Sequence, residues 1–216
     1  MAQPLVIAYH LIWTAYGTWL PNDPRGSGSK TVHCDVLAEL GQLHFGRKRV
    51  QPAGWEVRQF YNRAKELLKF PLVAFDEPTR MVIASAFQQV IDTERYTCYA
   101  CAIMPDHVHV LLRKHKHLAE QMIERLRETS RESSSLAGRF PAGHPIWTGG
   151  GGWKVFLDHP EEVQRTIQYI EKNPDAYRLP RQRWPFVMEY DGWPLHAGHS
   201  PNSPYARALR DVGRYP

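Results

Sequence analysis

Apolar residues recur along this 216-residue chain with two different periods, and the switches between them mark its elements. Leu5 to Tyr16 is dense in β-branched and aromatic side chains with apolar residues on both faces, which predicts a central strand. Gly17 and the turn-rich run from Pro21 to Ser29 end it. From about 30 to 77 the pattern weakens, and a polar helix over 55–69 is expected inside an insertion spanning about 21–77. Glu77-Pro78 opens a helix through about Glu94, where Met81, Val82, Ala84, Ala86, Phe87, Val90 and Ile91 repeat at helical spacing.

Strands follow at Tyr96–Ile103 and His107–Arg113, broken by Pro105-Asp106 and close enough to pair as a hairpin. A charged helix over 118–136 comes next, with Met122, Leu126 and Leu136 as its apolar positions. The glycines 149–152 lack the lysine and following helix of a phosphate-binding loop and read as a flexible hinge. Trp153–Leu157 is a short fourth strand. Asp158 and Glu161 have the spacing of a helix start, Pro160 suits the first turn, and the helix should stop near Asn173 because Pro174 follows. This order predicts an α+β fold: a ferredoxin-like βαββαβ four-stranded antiparallel sheet, with an additional C-terminal helix that carries Tyr169. Residues 1–174 form that domain, and 175–216 read as a loop-rich extension wrapping its surface.

Composition narrows the picture only a little. Hydrophobic content of 43% with seven Trp and ten Tyr supports a real core and argues against wholesale disorder. A net charge of +5 permits a nucleic-acid partner without requiring one. Three cysteines make no framework: Cys98 and Cys101, three apart in a strand, belong on opposite faces and read as buried free thiols. The first residues lack a basic segment followed by an apolar core, and no apolar run reaches membrane length. The expectation is a cytoplasmic protein without a membrane partner.

Chemistry enters with the third strand. His107 and His109 stand on one face, one pleat apart, opposite Val108, Val110 and Leu112, so both rings can reach one metal ion. That spacing also serves zinc hydrolases and iron oxygenases, and a surface histidine shows it too. Most helical tyrosines are core aromatics. Tyr169, however, falls roughly 130°, and Asn173 roughly 90°, from the apolar stripe Val163-Ile167-Ile170, at about 100° per residue. Four residues apart, they share a helix face, although an asparagine at a helix end can be a simple C-cap. A metal pair plus a phenol off the packing face suggests a metal-assisted tyrosine nucleophile acting on DNA. Arg25, Arg113, Lys114, Arg125, Arg127, Arg131 and Lys154 are the candidate DNA contacts.

These residues resemble a known family. The run Pro105-Asp106-His107-Val108-His109-Val110-Leu111-Leu112 is similar to the HUH motif of single-strand transposases and rolling-circle initiators. Tyr169-Ile170, followed by Asn173-Pro174, resembles the single-tyrosine helix of the REP-associated tyrosine transposases. Thr14 to Pro21, Arg25-Gly26 and Trp184 to Val187 are similar to one branch of that group, whereas 28–75 and the extreme C-terminus are unmatched. The resemblance implies Tyr169 as nucleophile, His107 and His109 as metal ligands, Asn173 as third ligand, and Mg²⁺ or Mn²⁺ as cofactor. It also implies a 5′-phosphotyrosine and hairpin-forming single-stranded DNA as substrate. A monomer and a homodimer both fit, since relatives differ in whose subunit the tyrosine helix serves. Two rivals stand beside it: a ferredoxin-like nucleic-acid-binding module without catalysis, and a zinc hydrolase drawing on His115, His117 or Asp106.

Overall fold

A computed structural model of the chain describes residues 5–27, 39–136, 138–141, 143–194 and 207. Four strands, β1 (Ala8–Thr14), β2 (Cys98–Ile103), β3 (His107–Arg113) and β4 (Trp153–Leu157), form one antiparallel sheet in the order β2-β3-β1-β4. Four helices accompany them: α1 (Gly54–Leu67), α2 (Glu77–Glu94), α3 (Ala119–Leu136) and α4 (Pro160–Ala176). The ferredoxin-like order expected from the sequence is the one observed. The insertion holds α1, but its end is not peripheral, because Val73 and Phe75 are buried in the main core.

The sheet separates two apolar layers. On one face Tyr9, Leu11, Trp13, Val108, Val110 and Leu112 pack with Ile83 and Phe87 of α2 and with Met122, Ile123 and Leu126 of α3. On the other, Ala100, Ala102, Leu111 and Leu157 pack beneath Val163, Ile167 and Ile170 of α4. The stripe on α4 is thus its packing face, and α4 lies over β2 and β3. That placement sets Tyr169 above the strand carrying the histidines.

Local chemistry explains most boundaries. The side chain of Asp76 accepts a hydrogen bond from the Thr79 backbone N–H at 2.9 Å and starts α2, while Arg95, in a left-handed conformation, ends it. His159, not Asp158, caps α4, and the Glu162 carboxylate accepts from the Asp158 backbone N–H, so the pairing runs one residue later than Glu161. α4 also continues past Asn173 to Ala176 with Pro174 inside its last turn. The ring there is buried, so its packing offsets one missing N–H near a helix end.

Two further expectations are corrected. Cys98 and Cys101 are both free and buried, yet they lie in the same core layer, because an irregularity between Cys98 and Ala100 shifts the register of β2 by one residue. The third cysteine, Cys34, lies outside the described residues. The glycine run is not a hinge: the Arg127 guanidinium donates to the carbonyls of Thr148 and Gly150, and a Cβ at Gly152 would sit 2.8 Å from the Ile12 carbonyl. Glycine is required there by close approach to β1.

After α4 the chain closes the exposed edge of β2. The Gln182 amide both accepts from the Ile103 N–H and donates to the Ile103 carbonyl, and Met188 N–H donates to the Cys98 carbonyl. Phe186 joins the layer under α2 and α3, while Leu179, Tyr190 and Trp193 join the one under α4. The described part of the extension, up to residue 194, thus packs against both apolar layers.

Candidate active site

The alternation of β3 puts His107 and His109 on the α4 face, as the spacing required. Their rings lie 4.9 Å apart between centroids. Register then adds a third imidazole. His10 of β1 lies next to the Ile12–His109 pair, and His10 Nε2 and His109 Nδ1 form a hydrogen bond of 2.9 Å. Both rings are buried, His10 with 6% and His109 with 4% of its surface exposed. Burial pulls the pKa of His10 down to about 4, and burial followed by the two neighbouring imidazoles holds His109 well below the usual histidine range. Both rings are therefore neutral at pH 7, the form that ligates a cation.

Hydrogen bonds decide which nitrogens remain available. His107 Nδ1 donates to Asp106 Oδ1 at 2.7 Å. His109 Nδ1 is bonded to His10 Nε2, and in the tautomer in which His109 donates, both strand histidines keep Nε2 free on one face. This is how outer-sphere partners orient metal-ligating imidazoles. Burial alone would raise the Asp106 carboxyl, but the hydrogen bonds from His107 and Tyr177 outweigh it and lower its pKa. Its carbonyl is anchored too, accepting from the Ala15 N–H at 2.8 Å and the Thr18 hydroxyl at 3.1 Å.

α4 supplies the phenol. Tyr169 stands with its ring 5.6 Å from His109 and 6.0 Å from His10, both edge-on, and 55% of its surface remains exposed. Asn173 lies one turn further on, and its amide nitrogen donates to the Tyr169 carbonyl at 2.9 Å. That bond uses the nitrogen and leaves the amide oxygen, the atom a cation would take. Among the described residues, no three His, Cys, Asp or Glu side chains are grouped to hold a metal. A cation site here would need a ligand of another type, for which Asn173, one turn of α4 on from Tyr169, is the candidate expected from the sequence. The paired imidazoles of His107 and His109, 4.9 Å apart between ring centroids, have the chemistry to bind a divalent cation.

Tyr177, directly after α4, also reaches this cluster. Its hydroxyl donates to Asp106 Oδ1 at 3.0 Å, and burial followed by the Asp106 charge raises its pKa. A phenol so held is a worse nucleophile than one left open. His115 and His117 lie beyond the far end of β3, packed on Tyr96, with His117 also beside Glu94. They supply no third ligand.

The basic residues do not converge on the histidines. Arg25 binds buried Asp23 through two nitrogens at 2.9 and 2.7 Å and stacks 4.0 Å over Trp19, although its charge helps lower the Asp106 pKa. Arg113 lies 3.4 Å over the Trp193 ring, at the end of β3 roughly 20 Å from His107. Lys114 is exposed just beyond it. Arg125 pairs with Glu94, Arg131 with Glu128 and Lys154 with Glu120, while Arg127 holds the glycine loop.

His10, Asp106 and Tyr177 escaped the sequence reading as members of one site. For His10 a signal existed, since it is an imidazole in the middle of the otherwise apolar run from Leu5 to Trp13. Asp106 was visible beside His107, but its role needed the fold.

No family model matches the sequence, and neither does any curated protein. Among solved structures, the chain is similar to a REP-associated tyrosine transposase bound to a REP hairpin, at 12% identity, covering 100% of this chain and 87% of that one, with a TM-score of 0.44. It is also similar to a Deinococcus radiodurans R1 protein described as a transposase, at 17% identity, covering 80% of this chain and 94% of that one, with a TM-score of 0.35.

Proposed function

We propose that the chain is a metal-dependent single-stranded DNA endonuclease of the transposase type, which cuts and rejoins DNA near hairpins through a 5′-phosphotyrosine. The observation that carries this reading is the open phenol of Tyr169 standing over His109, the strand histidine whose Nδ1 is already engaged.

In the proposed reaction the Tyr169 oxygen loses its proton to water and attacks the scissile phosphorus. The bond to the 3′ oxygen breaks, and that oxygen takes up a proton to leave a free 3′-hydroxyl. The phosphodiester energy stays in the tyrosine ester, so a 3′-hydroxyl attacking in reverse rejoins the strand without ATP. Mg²⁺ or Mn²⁺ held by His107, His109 and Asn173 would polarise a non-bridging phosphate oxygen and offset the developing charge. Asp106 and His10 orient the two imidazoles throughout. Hairpin-forming DNA is the substrate that the motif resemblance implies.

A surface for the single strand lies beside the site. Trp153, Ile12 and His109 are successive cross-strand partners and share a face, and Trp153 is 50% exposed. A base stacked on that indole would lie about two strand spacings, roughly 10 Å, from His109. A binding module without catalysis would use Trp153 but has no need of the oriented imidazoles.

The deciding experiment traps the adduct. A hairpin oligonucleotide labelled at either end is incubated with Mg²⁺ or with chelator and run on a denaturing gel. The 3′-labelled fragment should stay with the protein, the 5′-labelled fragment should be released, and chelator should stop both. Failure to form any metal-dependent adduct refutes the reading.

A further inference from the structure

Just beyond α4, the Tyr177 side chain returns to the hairpin between β2 and β3. Its hydroxyl donates to both Asp106 oxygens, at 3.0 and 3.3 Å, and its ring lies 5.9 Å from that of His107. Asp106 Oδ1 accepts simultaneously from His107 Nδ1. One carboxylate therefore joins the end of the tyrosine helix to a histidine 70 residues earlier in the chain. The carboxylate has little freedom of its own, because the Asp106 carbonyl is held by Ala15 and Thr18.

We infer that Tyr177 is a positioning residue, a latch that ties docking of α4 to the orientation of the His107 imidazole through Asp106. The inference rests on the proposed reading of His107 as a ligand. Three features carry it. The bonds are charge-assisted and made to a largely buried carboxylate, where geometry is enforced more strongly than in water. Tyr177 follows α4 directly, so its bond can form only with that helix in place over β3. A cation drawing on His107 Nε2 makes its Nδ1–H a stronger donor, which tightens the same carboxylate. By linkage, whatever cation binding adds to the docking of α4, docking adds to cation affinity. The nucleophile helix and the metal site would then assemble together.

The test uses Tyr177→Phe, which keeps the ring and removes only the donor, together with Asp106→Asn and the double variant. Mn²⁺ affinity is read from the electron paramagnetic resonance of the free ion, and α4 docking from amide hydrogen exchange with and without Mn²⁺. Tyr177→Phe should weaken Mn²⁺ roughly tenfold, the low end for outer-sphere partners. It should also abolish the Mn²⁺-induced slowing of exchange in α4. In the Asp106→Asn background the same change should add little, because the route through the carboxylate is already cut. Equal affinity in wild type and Tyr177→Phe overturns the inference, as does an undiminished effect in the Asp106→Asn background. Absence of Mn²⁺ binding by the wild type counts against the metal reading instead. The latch is then judged on the His107 ring nitrogen shifts, which must move in Tyr177→Phe and overturn it if they do not.

Discussion

The Tyr169 ring meets that of His109 edge-on at 5.6 Å, with the planes 88° apart. One partner is almost wholly buried, and the other keeps more than half its surface open. A phenol fixed by its ring edge to a buried imidazole, yet open to incoming substrate, is placed to attack without reorganisation of the core. Tyr169→Phe should therefore leave folding and hairpin binding intact while cleavage and the covalent adduct vanish. Adduct surviving on a denaturing gel would show that another residue attacks, and peptide mapping would name it.

His10 should matter although it is not a ligand. His10→Phe removes the hydrogen-bond partner of His109 Nδ1 and leaves that ring free to turn. Mn²⁺ affinity should fall about 10- to 100-fold, the usual cost of losing an outer-sphere partner, with an unchanged circular dichroism spectrum. Titration calorimetry giving wild-type affinity would remove His10 from the site.

Metal dependence should divide the ligands. His107→Ala or His109→Ala should abolish cleavage, whereas Asn173→Ala should retain it with a higher cation requirement, since its loss spares both imidazoles. Cleavage by the double histidine variant in chelator is the outcome that refutes the assignment.

DNA binding is predicted to favour single-stranded hairpins over blunt duplex and to weaken steeply as salt rises, because phosphate contacts release counterions. Trp153→Ala should cost about 1–3 kcal/mol of single-strand affinity, the worth of one stacked base. Fluorescence anisotropy would test both, and a flat salt response with an unaffected variant argues for a different surface.

The start of α2 offers a stability test away from the site. Asp76→Ala should cost about 1 kcal/mol, as loss of a helix N-cap does. The bonds from Thr79, followed by Arg139, lower the Asp76 pKa in the folded protein. Its contribution is therefore present above the unfolded value, near about 4, and is lost as pH falls through the folded value. Urea denaturation should show the gap between wild type and variant at pH 7 closing towards pH 3. A gap of constant size would show that the carboxylate charge is irrelevant to the cap.

Period and breaker residues determined the elements without help from tertiary structure. The alternation from His107 to Arg113 placed two imidazoles on one face, and the angle of Tyr169 from Val163 and Ile170 placed its phenol off the packing stripe. Both are local consequences of strand and helix geometry. Where α4 ends was not local, since Pro174 stays within the last helical turn with its ring buried by residues outside its own segment's period. The shared layer of Cys98 and Cys101 likewise depends on a register shift that only pairing with β3 creates. The same holds for the site. His10 joins His109 through cross-strand register, and Tyr177 meets Asp106 because α4 packs over β2 and β3. Such contacts lie between residues distant in the chain, and no period within a segment encodes them. The sequence determined which side chains could do the chemistry, and packing decided which of them stand together.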